Sequence, residues 1–453
     1  MTTSRTIGVV LDPLDVLFFR DGRAFDAAST VGGGLPMPQT LSGAVTSALL
    51  RQYGADFDTL AEQAKQHCDW PNAVRAACPA AAWIADVQVR GPWLARRVAE
   101  FARIQASDPE MRARTLASPA TSHVNPVTVA EFARIQAGTD VEPLVPAPAS
   151  LHAPKKGRAG ELRVLKPLAS DALPGWEATR SDGSPPRPLW SCGREPSEPA
   201  RGYLTQTGLR AFLAGNAVAG AELLGPEKLY QFDHRTGIEI DSDRLTAAES
   251  QIYGARFLSL ARGVRFDDSD ATVKYDIVFY AELRLPVEAP SAADPLDGID
   301  SLAFGGEGRR VALQTMKPFD WPSALPLSAK PKSFLLLTTP GMFAGRWKPA
   351  VLGERIVAAA VPGDVPVSGW DMALGGPKPT RFAAAAGSVY FLDGEFDHVA
   401  EFARIQASGG APTSGTIAGS AAPESALSLS DDPRDARQGW GCYLKGVWTD
   451  DEH

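Results

Sequence analysis

The chain has 453 residues, with 45 Lys and Arg, 53 Asp and Glu, and a net charge of −8. This length is enough for two or three domains, each with its own hydrophobic core. The acidic balance excludes an overall basic nucleic-acid-binding domain, although it is compatible with a local basic groove. The 42 Gly and 37 Pro residues argue against a helical bundle and predict many turns.

The sequence carries no signal for a membrane or a metal. No apolar run reaches the length of about 18 residues that a membrane span needs, and residues 1–15 lack the pattern of a signal peptide. We therefore expect a cytoplasmic protein without a membrane association. The four cysteines are scattered without zinc-ligand spacing, so we expect reduced thiols and no metal or other cofactor.

The chain opens with a predicted strand, loop and helix. Residues 7–11 and 16–19 are β-rich and are separated by Asp12-Pro13. Residues 20–37 are rich in Gly and predict a loop. A helix is predicted to begin at Thr40 as its N-cap, to bury a stripe with helical spacing, and to end at Gly54.

The middle of the chain predicts long insertions, then an ordered block. Residues 55–200 are interpreted as long insertions. From about residue 107 we expect long surface loops that carry short strands, since that part is rich in Pro, Ser and Gly. A helical pattern runs from 203 to 213, and a strong strand is predicted over 275–285. Residues 286–295 form the best candidate linker. The chain is therefore divided into an N-terminal domain, 1–288, and a C-terminal domain, 289–453, each predicted as α+β with an antiparallel sheet and helices on one face.

The last third predicts strands at 311–313, 333–338, 354–361 and 387–392. Residues 408–432 include a low-complexity stretch and are expected to be a disordered insert. The alternation over 439–448 predicts a final strand.

The nonapeptide VAEFARIQA occurs three times without change, at 98–106, 129–137 and 399–407. The unequal spacing excludes a solenoid with a fixed period. We interpret the copies as inserts tolerated at the surface, in short helices or loops; a repeated docking motif is the alternative.

No motif for covalent, metal-dependent or nucleotide-dependent catalysis is present. The Gly32–Gly34 run lacks the Lys of a phosphate-binding loop, and no nucleophile elbow occurs. His234, beside Arg235, is the one candidate for a general base. A histidine that hydrogen-bonds the backbone in a turn is the favoured interpretation.

Three Gly-rich turns carry cations and predict a binding site. Glycines allow backbone amides to approach phosphates, Arg and Lys add charge-assisted hydrogen bonds, and Trp370 is a candidate to stack on a base. The candidate RNA contacts are Arg20, Asp21, Gly22 and Arg23 in the first turn; Gly305, Gly306, Arg309 and Arg310 in the second; Trp370, Gly376, Lys378 and Arg381 in the third; and Arg235.

Several stretches resemble one family in the same order. They are LDPLDVLFFRDGRAF, LPMPQTLSGAVTSALL, HRTGIEID, FGGEGRRVAL, VSGWDMALGGPKPTRFAAAAGSVYF and GWGCYLKGVW. Together they span residues 13–448 and are similar to the RAMP-superfamily subunit that caps the guide 5′ end in type III-B (Cmr) CRISPR effector complexes. In that resemblance, HRTGIEID corresponds to a mid-chain turn.

This resemblance implies two ferredoxin-like (RRM-like) RAMP domains with long loop insertions, and no catalysis. It implies three partners: the 5′ handle of the CRISPR RNA (crRNA), the large palm-domain subunit and the backbone RAMP subunit of the Cmr complex. Two alternatives stay open. One is a Cas6-like RAMP ribonuclease that processes precursor RNA with His234 as base, and the other is a protein-only scaffold in a similar complex.

Overall fold

The structure is a computed structural model that describes residues 4–19, 30–31, 34–66, 69–99, 141–155, 160–168, 187–191, 196–240, 247–266, 274–290, 294–323, 332–371, 376–397 and 428–449. Strands outnumber helices throughout these ranges. The α+β class is confirmed in this coarse form. The pair of ferredoxin-like domains stays a prediction.

The described residues contain five α-helices: α1 (Pro38–Gln52), α2 (Phe57–Lys65), α3 (Trp70–Ala77), α4 (Gln206–Leu213) and α5 (Pro433–Gln438). Short 3₁₀ segments lie at Pro79–Asp86, Gly220–Glu222, Pro226–Lys228 and Ala350–Arg355. Helix α1 begins earlier than predicted: its N-cap is Met37 and not Thr40, because Pro38 is suited to the first helical position. Gly54 does end the helix, with a φ of +68°.

The strands in the first part of the chain are β1 (Arg5–Pro13), β2 (Thr30–Val31), β3 (Gln88–Val98), β4 (Val141–Pro143), β5 (Val145–Pro146), β6 (Leu151–Pro154), β7 (Glu161–Val164), β8 (Lys166–Pro167), β9 (Leu189–Trp190), β10 (Ser197–Pro199), β11 (Tyr203–Leu204), β12 (Val218–Ala219) and β13 (Leu223–Leu224). Those in the second part are β14 (Tyr230–Ile240), β15 (Ala247–Leu260), β16 (Tyr275–Leu285), β17 (Ser301–Ala303), β18 (Arg310–Met316), β19 (Lys332–Leu337), β20 (Ile356–Ala360), β21 (Asp364–Val367), β22 (Trp370–Asp371), β23 (Gly376–Pro377), β24 (Arg381–Ala384), β25 (Val389–Leu392) and β26 (Tyr443–Trp448).

The larger sheet is antiparallel, with the strand order β17-β18-β1-β16-β3-β4. The side chains on its two faces belong to different hydrophobic cores, because successive side chains along a strand point to opposite faces. Val9 and Leu11 join the core that also contains Leu41 and Val45 of α1. Val10, between them, packs with Tyr280 and with Cys442, which lies next to β26, on the other face. This sheet is therefore covered by helix α1 on one side and by the C-terminal part of the chain on the other.

The second sheet has the order β20-β25-β19-β26 and is also antiparallel. Phe334 and Phe391 pair across it and pack against Phe212 of α4, with ring centroids 5.1 Å apart for Phe212 and Phe334. Leu335 and Leu337 face the opposite core. The helix on this sheet thus comes from a part of the chain that precedes it by more than a hundred residues.

Sheet membership does not divide at the predicted boundary of 288/289. Strands β17 and β18, which follow that point, belong to the larger sheet, with Val10 opposite Gln314. Helix α4, which precedes it, packs on the second sheet. The chain crosses between the two sheets more than once, which the linker-like composition of 286–295 does not show.

Residues 55–200, predicted as long insertions, begin with ordered elements that the sequence did not indicate. They contain α2, α3 and strand β3, which lies next to β16 in the larger sheet. The strand was missed because Arg90 and Arg96 interrupt its apolar pattern. Both arginines are buried in ion pairs, Arg90 with Glu282 at 2.6 Å and Arg96 with Glu142 at 2.8 Å.

The prediction of a turn over HRTGIEID is wrong. Residues 234–240 lie inside strand β14, which pairs with β15 to form a long antiparallel hairpin, with His234 opposite Arg256. The stretch begins with the polar and exposed residues His234, Arg235 and Thr236, so its composition there resembles that of a turn while its backbone is extended.

Two predictions fall mostly outside the described residues. Of the three VAEFARIQA copies, Val98 and Ala99 are described, and Val98 is the last residue of β3, not part of a helix. Of the expected insert 408–432, residues 428–432 are described. There the amide of Leu429 donates to the carbonyl oxygen of Gly441 at 2.9 Å, so residues 428–432 belong to the fold, in contrast to the disorder expected for them.

Candidate nucleic-acid interface

The Gly-rich turn between β17 and β18 packs against the segment that follows β1. Gly305 has a φ of +94°, and a Cβ at this position would lie 2.5 Å from the carbonyl oxygen of Phe18. The amide of Gly306 donates to the same oxygen at 2.8 Å. The two glycines therefore allow a close approach of two backbone segments, and the Gly306 amide is used within the fold and not left for a phosphate.

Two of the predicted arginines meet on one aromatic ring. The guanidinium carbons of Arg235, from β14, and Arg309, from the turn, lie 4.7 and 5.1 Å from the ring centroid of Phe257 in β15. The Phe18 ring packs on Phe257 at 5.1 Å. The hairpin, the Gly-rich turn and the segment after β1 thus form one cationic and aromatic site, which we call the Phe257 cluster, comprising Phe18, Arg235, Phe257 and Arg309.

Carboxylates accompany both arginines of the Phe257 cluster. Arg309 lies 2.7 Å from Asp15 and Arg235 lies 2.8 Å from Asp233. The hydrogen bond from the Val16 amide, together with the charges of Arg309 and Arg235, holds the pKa of Asp15 below its ordinary value. The cluster is therefore partly neutralised by its own side chains.

Arg256 is a cation that the sequence analysis missed. Its guanidinium carbon lies 4.2 Å from the ring centroid of Phe232, on the side of the hairpin that His234 also faces. Within the described ranges no carboxylate forms an ion pair with Arg256, and its buried Nε has no hydrogen-bond partner. Each side of the hairpin thus carries an arginine on an aromatic ring. The alternation of side chains along two paired strands could have indicated Arg256, but this needs strand β15, which the sequence analysis did not predict.

Arg310 and His234 do not join the Phe257 cluster. Arg310 hydrogen-bonds the hydroxyl of Ser301 at 2.7 Å and its carbonyl oxygen at 3.1 Å, which ties β18 to β17. His234 is exposed on the other side of the hairpin from Arg235.

The third predicted turn belongs to the C-terminal part of the chain. Strands β22 and β23 pair there, and the amide of Lys378 donates to the carbonyl oxygen of Gly369 at 2.7 Å. The Lys378 side chain is exposed. Gln39 of α1 donates to the carbonyl oxygen of Ser368 at 2.8 Å and so joins this turn to the first helix. Gly376 lies in β23, and the position of the Trp370 side chain is outside the described part.

Arg381 has a partner within the fold. Its guanidinium group donates to both carboxylate oxygens of Asp435, at 2.9 and 2.5 Å, and Asp435 is buried. This hydrogen bonding raises the pKa of Arg381 above its ordinary value. Arg381 therefore anchors helix α5, and Lys378 is the cation of this turn with the more open position.

The predicted contacts Arg20, Asp21, Gly22 and Arg23 lie outside the described residues. The last residue before them, Phe19, packs on Phe304 with ring centroids 5.2 Å apart. Phe19 therefore lies beside the Gly-rich turn.

Within the described ranges, no group of three or more His, Cys, Asp or Glu side chains is placed to hold a metal ion. None of the described helices has both the length and the apolar character that a transmembrane segment requires.

The comparisons with known proteins fit these features. The sequence model of one family, described as CRISPR-associated protein (Cas_Cmr3), matches residues 9–448. The chain belongs to this family. It is accordingly a type III CRISPR effector subunit, and its context is the type III-B Cmr ribonucleoprotein complex. No protein of curated function matches the chain.

Solved structures give a weaker likeness. A chain of the type III-B Cmr-beta complex bound to cognate target RNA is 14% identical, with a TM-score of 0.40 over 85% of this chain and 86% of that chain. A chain of the same complex bound to cognate target RNA and AMPPnP is 15% identical, with a TM-score of 0.41 over 85% of this chain and 86% of that chain. A chain of the type III-A Csm3-Csm4 subcomplex is 11% identical, with a TM-score of 0.28 over 86% of this chain and 94% of that chain. At these scores the likeness carries no argument, and the family rests on the sequence match.

Proposed function

We propose that this chain is a non-catalytic subunit that binds the 5′ handle of the crRNA and docks on the large palm-domain subunit and the backbone RAMP subunit. The observation that carries the proposal is the grouping of Arg235, Arg309 and Arg256 on two aromatic rings of one hairpin. Guanidinium groups on aromatic rings, beside a flexible turn, suit the phosphates and splayed bases of single-stranded RNA.

The charge distribution supports a local groove on an acidic subunit. The chain as a whole is acidic, so non-specific attraction to RNA is not expected from net charge. The hairpin and the adjoining Gly-rich turn together hold three arginines, and only Asp233 and Asp15 oppose them among the described ion pairs. Lys378 is an exposed cation in the third Gly-rich turn.

The test is a salt titration of the binding of handle RNA to the full chain and to a double variant, Arg235→Ala with Arg256→Ala. Each lost phosphate contact on a single strand is expected to lower the slope of log K against log salt by about 0.7. Arg75→Ala is the matched control, because Arg75 is an exposed arginine whose ion pair with Asp86, at 2.7 Å, lies on a different part of the surface.

Three outcomes separate the alternatives. Weaker binding with a flatter slope for the double variant, and an unchanged control, supports the proposal. Wild-type protein that does not bind handle RNA but assembles with the other subunits supports the protein-only scaffold. Binding with wild-type slope in the double variant moves the RNA site away from the hairpin.

A further inference from the structure

A cleft of about 540 Å³ opens in the C-terminal part of the chain beside helix α5. Its floor is apolar, formed by the buried side chains of Met342 and Phe343, and the ring of Phe382 stands at its wall with 48% of its surface exposed. The remaining lining residues are Ala344, Arg346, Arg381, Asp431, Asp432 and Asp435. The cleft therefore combines an apolar floor, an exposed aromatic ring and a charged rim, which is the composition of a small binding site.

The carboxylates of the cleft differ in what the fold already uses. Asp435 binds Arg381 through both oxygens. Asp431 accepts the amides of Ala344 at 2.8 Å and Ala350 at 2.9 Å. Asp432 caps α5 with one oxygen only, at 2.8 Å from the amide of Arg434. Among the described residues its second oxygen has no hydrogen-bond donor, and the side chain is exposed.

The Phe382 ring already binds a guanidinium group within the chain. The guanidinium carbon of Arg346 lies 5.7 Å from the ring centroid, and this arginine also lies 3.3 Å from Asp364. Arg346 has a φ of +64°, a conformation that is uncommon outside glycine. The aromatic wall is therefore suited to a cation with a flat or aliphatic stem.

We infer that this cleft is a docking pocket for a Lys or Arg side chain of a protein partner, a neighbouring subunit of the effector complex. Three carboxylates against two guanidinium groups leave the lining acidic, which disfavours the phosphates of RNA and favours a cation. The stem of the incoming side chain lies on Phe382 and Met342, and its charged end bonds the open oxygen of Asp432. The inference rests on the assembly of the chain with other subunits and not on its binding of RNA.

The experiment uses purified full chain, purified neighbouring subunits and handle RNA, with protein association and RNA binding measured separately. Phe382→Leu keeps an apolar side chain but removes the aromatic ring, and Asp432→Asn keeps an oxygen for the cap but removes the charge. The two changes together are expected to weaken association with one subunit about tenfold. The RNA affinity of the isolated chain should stay unchanged.

Matched controls are Trp190→Leu and Asp393→Asn, which alter an exposed aromatic ring and an exposed carboxylate elsewhere. Thermal unfolding of the isolated chain checks that each variant folds. Unchanged association with every subunit overturns the inference. A loss of RNA affinity instead indicates a nucleobase site, and a loss of thermal stability without loss of association indicates an occupant from this chain; both overturn it.

Discussion

Arg235 and Arg309 lie on the same ring, with guanidinium carbons 4.7 and 5.1 Å from the centroid of Phe257. They come from a hairpin and from a turn that are far apart in the sequence. Each has its own carboxylate, Asp233 and Asp15 respectively. An RNA phosphate must therefore compete with a carboxylate for either arginine. Arg256, which has no such partner among the described residues, is not subject to this competition.

The first prediction ranks the two arginines of the hairpin. Arg256→Ala is expected to weaken binding of handle RNA more than Arg235→Ala does, because Arg235 is already paired with Asp233 and so gives a phosphate less favourable interaction. Arg256→Ala should lower the salt slope by about 0.7, uniformly across RNA sequences. Fluorescence anisotropy over a range of salt concentrations measures both quantities. Equal losses for the two variants would show that the carboxylate does not compete.

The sequence predicts a strand of this fold well where the pattern lies within the strand itself, and poorly where it depends on partners elsewhere in the chain. Strand β16 was predicted with the bounds it has, 275–285, because its run of apolar residues is buried on both faces. Strand β3 was missed because its arginines are satisfied by Glu282 and Glu142, which are distant in the sequence. A local pattern does not reveal an ion pair that forms only when strands are aligned.

The same reason limits prediction of the site. The Gly-rich turn and its arginines were found from local composition, and Arg235 and Arg309 do come together. The pairing of Arg381 with Asp435 and the position of Arg256 depend on long-range contacts. The sequence thus indicates which residue types to examine, while tertiary packing decides which cations are left for a ligand.

The second prediction separates Lys378 from Arg381. Arg381→Ala leaves the buried carboxylate of Asp435 without its partner and is expected to lower the free energy of unfolding by about 1–2 kcal/mol, less than for a fully buried pair because Arg381 is half-exposed. Lys378→Ala should change stability by less than about 0.5 kcal/mol but weaken RNA binding. Urea unfolding and RNA titration of both variants measure this difference. A stable Arg381→Ala protein would contradict the anchoring role.

The third prediction concerns close approach at the Gly-rich turn. Gly305→Ala introduces a Cβ 2.5 Å from the Phe18 carbonyl oxygen at a φ of +94°, and is expected to cost about 2–4 kcal/mol. Gly308→Ala is the matched control: its φ is +65°, but no atom lies within 4 Å of the added Cβ, so a cost of about 1 kcal/mol is expected. Chemical unfolding of both variants measures the difference, and equal costs would show that the turn can move away from Phe18.

The fourth prediction concerns acid stability through Asp12. Burial raises the pKa of Asp12, but hydrogen bonds from Arg262 and Arg97 outweigh this and hold it below the ordinary value of 3.8. Because the pKa is lower in the folded state, the stabilisation is present above the unfolded pKa and is lost as pH falls through the folded pKa. Asp12→Asn should therefore flatten the loss of stability below about pH 4.

NMR titration of the carboxyl group tests the cause of that shift. Arg262→Ala should raise the pKa of Asp12 towards 3.8, whereas Arg75→Ala, which removes an ion pair elsewhere, should leave it unchanged. A pKa that does not respond to Arg262→Ala would assign the shift to Arg97 alone.

The last prediction concerns catalysis. Metal-independent RNA cleavage needs a general base and a separate acid placed at the scissile phosphate. His234 is exposed on a strand, its cross-strand neighbour is Arg256, and the carboxylate next to it in sequence, Asp233, is paired with Arg235. We therefore expect the purified chain to leave precursor crRNA uncut in the absence of metal, and His234→Ala to change no processing rate. His234→Gln, which keeps a polar side chain, should bind handle RNA as the wild type does. Gel analysis of labelled precursor RNA is the measurement. If the wild type cleaves the RNA and both His234→Ala and His234→Gln abolish the cleavage, the ribonuclease alternative is established. A histidine that only contacts RNA would change the binding affinity, and no cleavage product would form with the wild type.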